Sequence, residues 1–328
     1  MSDPDQAHAH PHDTVGGVPD RLPAADVRAL SQLEPRRALS ALAVEWLAIA
    51  VAVAAALWLA HPAVYAVAIV FIGARQHALT VLGHDASHYR FLPSKTWNDA
   101  IGNLFMQWPL FISVAGFRKF HGDHHKYFGL EGDGNRTLWR THDEDGAPTR
   151  EWTYPKTRAQ LAVKLLRHSV GLTGLRWVLR GLLSVFFLKN ESIQAKVLRV
   201  SYYAAIAAAL TWLDAWLSFA LLWVLPLCTW HITIQYMRLI AEHSAVSSED
   251  PAYQGTRTTI PTRFEALLIL PRNIGYHLEH HWYPSVPFYR LPDLHARLLR
   301  EPRFAANADI STSILRSLVH VTRRETPS

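Results

Sequence analysis

The chain has 328 residues, 49% of them hydrophobic, and a formal charge of +6. Its one cysteine, Cys228, excludes intrachain disulfides, a rubredoxin or iron–sulfur site and thiolate zinc sites. The apolar residues come in blocks, so the basic excess is read as membrane-adjacent loops, and no nucleic-acid partner is expected.

Residues Met1 to about Pro35 lack an apolar core and read as a disordered or loosely attached cytosolic tail, the first of three regions (1–38). His8, His10 and His12 fall in this tail and are expected to be solvated. A membrane domain (39–295) follows, then a cytosolic C-terminal segment (296–328). Ala41 to Ala60 is almost wholly apolar, long enough to span a ~30 Å hydrocarbon core, with Glu45 its only charge. After the His61-Pro62 turn, a second span runs from Pro62 through Gly83. Asn98 to Gly116 is apolar around Pro109 but short, and is predicted to form a re-entrant or interfacial hairpin. Gly129 to Lys156 is polar, a loop over the site. Leu161 to Leu188 is apolar but interrupted by Lys164, Arg167, Arg176 and Arg180, which predicts an amphipathic interfacial helix pair. Val197 to Leu213 and Ala215 to Ile234 are the third and fourth spans, with Asp214 at the turn and Pro226 as the candidate kink of the fourth. Phe264 to Leu270 is a short interfacial patch. The fold class is therefore an all-α integral membrane protein with about four transmembrane helices, interfacial helices and a cytosolic di-metal cap.

The turns at His61 and Asp214 carry no Lys or Arg, whereas the tail, central loops and C-terminal segment do. The positive-inside rule then places both termini on the cytoplasmic side. His84 lies 22 residues past Pro62, and His243 lies 28 past Ala215. At ~1.5 Å per residue these helices bring both histidines just beyond the same edge of the bilayer.

That shared depth matters because the histidines are grouped. HDASH holds His84 and His88; HGDHH holds His121, His124 and His125; HLEHH holds His277, His280 and His281. Residues three and four apart share a helix face, so each group can aim two or three imidazoles at one point. Neutral imidazole is the commonest side-chain metal ligand. Eight imidazoles exceed what one ion takes, which points to a two-metal centre, with His243 in RLIAEHSAV as the ninth candidate. Asp85, Asp123 and Glu279 lie inside these motifs and are expected to accept the other ring N–H of a ligand histidine. His77 is expected to be a hydrogen-bonded interior histidine. His231 is too far from His243 to ligate, and His142, His168, His295 and His320 default to the surface.

The ordered motifs HxxxH, HxxHH and HxxHH beside long apolar helices resemble the membrane fatty acid desaturase and hydroxylase superfamily, over roughly Ala41 to Leu294. HLEHHWYPSVPFYRLPDL is similar to its bacterial fatty acyl branch. The resemblance implies two non-haem iron ions, dioxygen as co-substrate and a lipid or acyl substrate. It also implies an extra ligand on the helix before the third motif, where His243 sits. Electrons must come from a separate donor, ferredoxin-like or a b-type cytochrome with its reductase, because the chain carries neither a cysteine cluster nor a haem motif. Its basic segment from Lys164 to Arg199 suits either anionic headgroups or an acidic carrier. Trp282 and Tyr283 become candidates to flank the acyl chain. Desaturation is the leading expectation, hydroxylation or ketolation of a lipid or carotenoid the next, and a membrane metal transporter a distant one. Transporter sites lie at mid-bilayer, whereas these motifs lie at the cytoplasmic edge. A zinc hydrolase lacks its HExxH here. The expected location is the bacterial inner membrane, histidine motifs facing the cytoplasm.

Overall fold

Two long helices joined within two residues begin the membrane part of the protein. The computed structural model describes residues 21–128, 132–133, 157–186, 193–246, 248 and 250–322. Helix α1 is Ala24–Leu30, α2 is Pro35–Leu59 and α3 is Pro62–Ser87. Each of the two long helices starts with proline, whose fixed φ suits the first turn. Ala60 reverses the chain with φ 47°, and the His61 ring accepts from the Ala63 amide at 3.2 Å. Helix α2 buries Ala38, Ala41, Leu42, Glu45, Ile49 and Ala56, a seam at three- and four-residue spacing. Its opposite face exposes Val44, Leu47, Val51 and Trp58.

The lone acid of that seam, Glu45, is paired on both sides. Arg75 donates to its Oε2 at 3.1 Å and Arg272 to its Oε1 at 2.7 Å. Arg272 belongs to the segment before the third histidine motif, so one buried ion cluster ties the membrane hairpin to that motif.

Helix α4, Lys95–Gly102, continues through a π turn and a 3₁₀ turn to Leu110, then meets α5, Val114–Lys126, at 86°. Phe111 adopts φ 60° at the break, and Asn103 accepts from the Val114 amide at 2.9 Å. The bend falls where a re-entrant or interfacial hairpin around Pro109 is expected and has the form of either a re-entrant loop or a broken span; the first and second motifs meet on one side. The expected amphipathic pair is α6, Arg158–Ser169, and α7, Leu172–Phe186. Gly171 separates them at φ +87°, a conformation glycine adopts without strain.

Helix α8, Ile193–Trp212, and the helical run α9, Trp216–His243, form a second hairpin about Asp214, which has φ 48°. Pro226 lies between two π turns of α9, Ala220–Val224 and Leu227–His231. Among the described residues, α2, α3 and α9 are long and apolar enough to cross a membrane, and the bent pair raises the number to four if it is one span. The third span expected from sequence is helical but is not one of these three, because Lys196 and Arg199 dilute its apolar character.

A small cap closes the end of the helices that carries the histidine motifs. Strand β1, Thr258–Thr259, pairs in parallel with β2, Ile310–Ser311. Around them lie α10, Arg263–Leu268, α11, His277–Trp282, α12, Leu291–Leu298, α13, Pro302–Asn307, and α14, Ile314–Val321. Ile314, Leu318 and Val321 share a core with Tyr236 and Ile240 of α9, so the C-terminal segment packs on the membrane part. The loose tail expected as far as about Pro35 is corrected for the described residues, which are structured and packed from Leu22 onward. Leu22 and Leu30 pack with Trp282, Leu291 and Leu298, and the Leu22 amide donates to the Tyr283 hydroxyl at 3.0 Å. His8, His10 and His12 lie outside the described residues.

Candidate metal centre

All nine candidate histidines meet at the capped end of α3, α5 and α9, but they divide into two groups. His84, His88, His121, His125 and His280 form one; His124, His243, His277 and His281 form the other. Within each group one ligand atom per residue lies within 4.8 Å of every other. Each HxxHH motif is split rather than aimed at one point. Adjacent helix residues point in different directions, so His124 and His125 face different groups, as do His280 and His281. Residues four apart stay together, as in His121 with His125 and His277 with His281. The groups abut, with His125 and His281 ring centroids 4.5 Å apart.

The ring nitrogens fit a metal better than they fit one another. His125 Nε2 is 2.9 Å from His121 Nε2 and 3.0 Å from His280 Nε2, and one ring N–H serves only one of these. His277 Nε2 is likewise 3.0 Å from His243 Nε2 and 3.2 Å from His281 Nε2. Adjacent ligands on an octahedral ion with bonds of about 2.1 Å sit about 3 Å apart. Among the described residues, both ring nitrogens of His84 and Nε2 of His88 are buried without a hydrogen bond. Burial, then the neighbouring imidazoles, holds His277, His280 and His281 well below the usual histidine range. They are therefore neutral, the form that ligates.

The outer contacts differ from those expected. Asp133 is fully buried and accepts from His124 Nδ1 at 3.1 Å, a partner that its place in a polar Gly-Asp loop conceals. The Gly255 carbonyl accepts from His243 Nδ1 at 3.0 Å. Asp85 lies 3.4 Å from His84 Nδ1 without hydrogen-bond geometry, and instead accepts the Phe288 amide at 2.8 Å. Asp123 pairs with the exposed Lys119. Glu279, fully buried, accepts from His295 at 2.5 Å and from the Thr258 hydroxyl at 2.7 Å, clamping α11 to α12 and β1 within the cap. His295 and His168 are thus buried, not at the surface, while His320 is exposed as expected. His142 and most of the Gly129 to Lys156 loop lie outside the described residues. His77 is interior but, among the described residues, has no hydrogen bond at either ring nitrogen, and it packs edge-on to His231 at 5.9 Å. His231 belongs to neither histidine group. Trp282 and Tyr283 pack in the cap with Tyr253 and Phe304 and do not line the cavity described next.

A cavity of about 590 Å³ runs from both histidine groups down between α3, α5, α7 and α9. Leu110, Phe117, Phe120, Trp177 and Val178 line one side.

The sequence matches the family described as fatty acid desaturase over residues 58–311. It is 27% identical to dihydrorhizobitoxine desaturase of Bradyrhizobium elkanii, covering 85% of this chain and 80% of that protein. It is 25% identical to the chloroplastic omega-3 fatty acid desaturase of Glycine max, covering 88% and 69%. It is also 28% identical to the human sphingolipid delta(4)-desaturase/C4-monooxygenase DES2, covering 68% and 62%.

Proposed function

Since the chain belongs to the fatty acid desaturase family and is a membrane oxidoreductase of desaturase type, we propose that its nine clustered histidines hold two iron ions and that it desaturates a fatty acyl or lipid-like chain. The convergence of nine imidazoles from α3, α5, α9 and α11 on two adjacent points supports this reading. With dioxygen and two electrons, such a di-iron centre supplies an oxidant able to remove hydrogen from an unactivated methylene. The chain's own residues position that chemistry. His84, His88, His121, His125 and His280 would hold one iron, and His124, His243, His277 and His281 the other. Asp133 and the Gly255 carbonyl fix two of the rings by their Nδ1 hydrogen bonds. The cavity presents the substrate beneath both groups and keeps its reacting methylenes from bulk water.

In desaturation two hydrogens leave adjacent carbons, and dioxygen departs as two waters after two electrons and two protons are added. The electrons come from a separate ferredoxin-like or b-type cytochrome donor on the cytoplasmic side, where both termini also lie. A cyanobacterial relative, 24% identical over 65% of this chain, is named an sn-1 acyl-lipid omega-3 desaturase (ferredoxin). In a bacterium the inner membrane is the site that fits. Hydroxylation is the second reading, favoured by the monooxygenase in the name of the human relative. The deciding experiment supplies the reduced, iron-loaded protein with an acyl-lipid mixture and follows products by mass spectrometry. Products lighter by two hydrogens support desaturation, and products heavier by one oxygen support hydroxylation. No oxidised lipid under reducing, aerobic conditions contradicts both.

A further inference from the structure

One wall of the cavity is not suited to a plain hydrocarbon. His231, Gln235, Arg238 and Glu242 all line it. They stand four, three and four residues apart, which places them on a single face of α9. Polar side chains inside a membrane-crossing helix face protein or a cavity and carry function by default. Two of the four account for each other: Arg238 donates to both Glu242 oxygens, at 2.8 and 3.0 Å. The other two do not. Among the described residues His231 Nδ1 is buried without a partner, on a side chain only 5% exposed. Among the described residues the Gln235 amide has no hydrogen bond, and it too borders the cavity. Packing an acyl chain of methylenes against these groups would leave their hydrogen-bonding capacity unmet, which is costly away from water. The wall is also neutral on balance, because the Arg238 and Glu242 charges cancel. Arg180 lines the cavity from α7, outside this face; on the α9 wall itself a carboxylate or phosphate would face Glu242, whereas an amide or hydroxyl can both donate and accept.

We propose that the substrate carries an uncharged hydrogen-bonding group, an amide or a hydroxyl, along its chain, and that Gln235 and His231 are the specificity-determining residues that receive it. Gln235 precedes His243 by eight residues, so this group sits about 12 Å along the helix from the metal-binding level. The assignment rests on the reading of the cavity as the site of an acyl-lipid substrate.

Binding tests it without turnover. The full-length protein in detergent is titrated with stearic acid methyl ester, the same ester with a mid-chain hydroxyl, and the same ester with a mid-chain amide. The polar chain that fits binds at least tenfold tighter than the plain one, since a site built for a hydrogen bond discriminates more strongly than a merely apolar one. The tighter of the two polar probes identifies the group. Gln235→Met and His231→Phe each reduce that preference to less than about threefold, with the plain ester bound at least as tightly as by the native protein. A native protein that binds plain and polar chains alike overturns the assignment, and this comparison needs no variant to fold. So does a folded variant that weakens all three chains equally. Failure of all three to bind overturns the acyl-lipid reading of the cavity itself.

Discussion

Replacing Asp133 by alanine tests whether the two histidine groups act as separate sites. The carboxylate is fully buried and accepts from His124 Nδ1 at 3.1 Å, which fixes the ring with Nε2 turned toward the four-histidine group. Loss of such an outer hydrogen bond typically lowers metal affinity by about 10- to 100-fold. That range corresponds to about 1.4–2.7 kcal/mol. The effect should be confined to one of the two metals. Protein loaded anaerobically with iron and titrated with a competing chelator should release one iron at lower chelator concentration and the other as in the native protein. Asp133→Asn keeps an acceptor oxygen and should cost less, below about tenfold. Equal weakening of both irons, or unchanged release of both, would refute the division into two groups held by separate outer contacts.

His243→Ala removes a member of the four-histidine group held by the Gly255 carbonyl, and should lower iron occupancy by at least about tenfold. His231→Ala, outside both groups, should keep native iron content by elemental analysis. Arg257 is 1% exposed and bonds Asp309 together with the carbonyls of Ala241, Ser244 and Ala245. Arg257→Ala should therefore destabilise the cap by about 3–5 kcal/mol, seen as a lower melting midpoint in detergent. For sidedness, an impermeant thiol reagent outside intact cells should label His61→Cys and leave Thr141→Cys unlabelled. The reverse pattern would overturn the orientation.

Much of this arrangement is legible in sequence because membrane helices and histidine spacing obey simple periods. The HxxxH and HxxHH spacings identify which imidazoles share a face, and the helix lengths bring His84 and His243 to one level. What the spacing conceals is how each motif divides, because that depends on the angle at which α5 and α11 meet the other helices. Asp133 is hidden for a related reason: its neighbours read as a solvated loop, and only the folded chain buries it under His124. His295 and His168 read as surface residues because nothing local shows that Glu279 or the face of Tyr236 will cover them. Val197 to Leu213 reads as a span from its alanines, although Lys196 and Arg199 at its start leave the helix less apolar than the others. The stripe on α9 is visible as a period of four, three and four, but only the cavity beside it gives the stripe meaning.

The most direct measurement is metal content coupled to activity in the purified protein. The account expects about two irons per chain, with oxidation of lipid lost when iron is removed and regained when it is restored. Zinc as the sole stoichiometric metal, with full activity after iron removal, would contradict it.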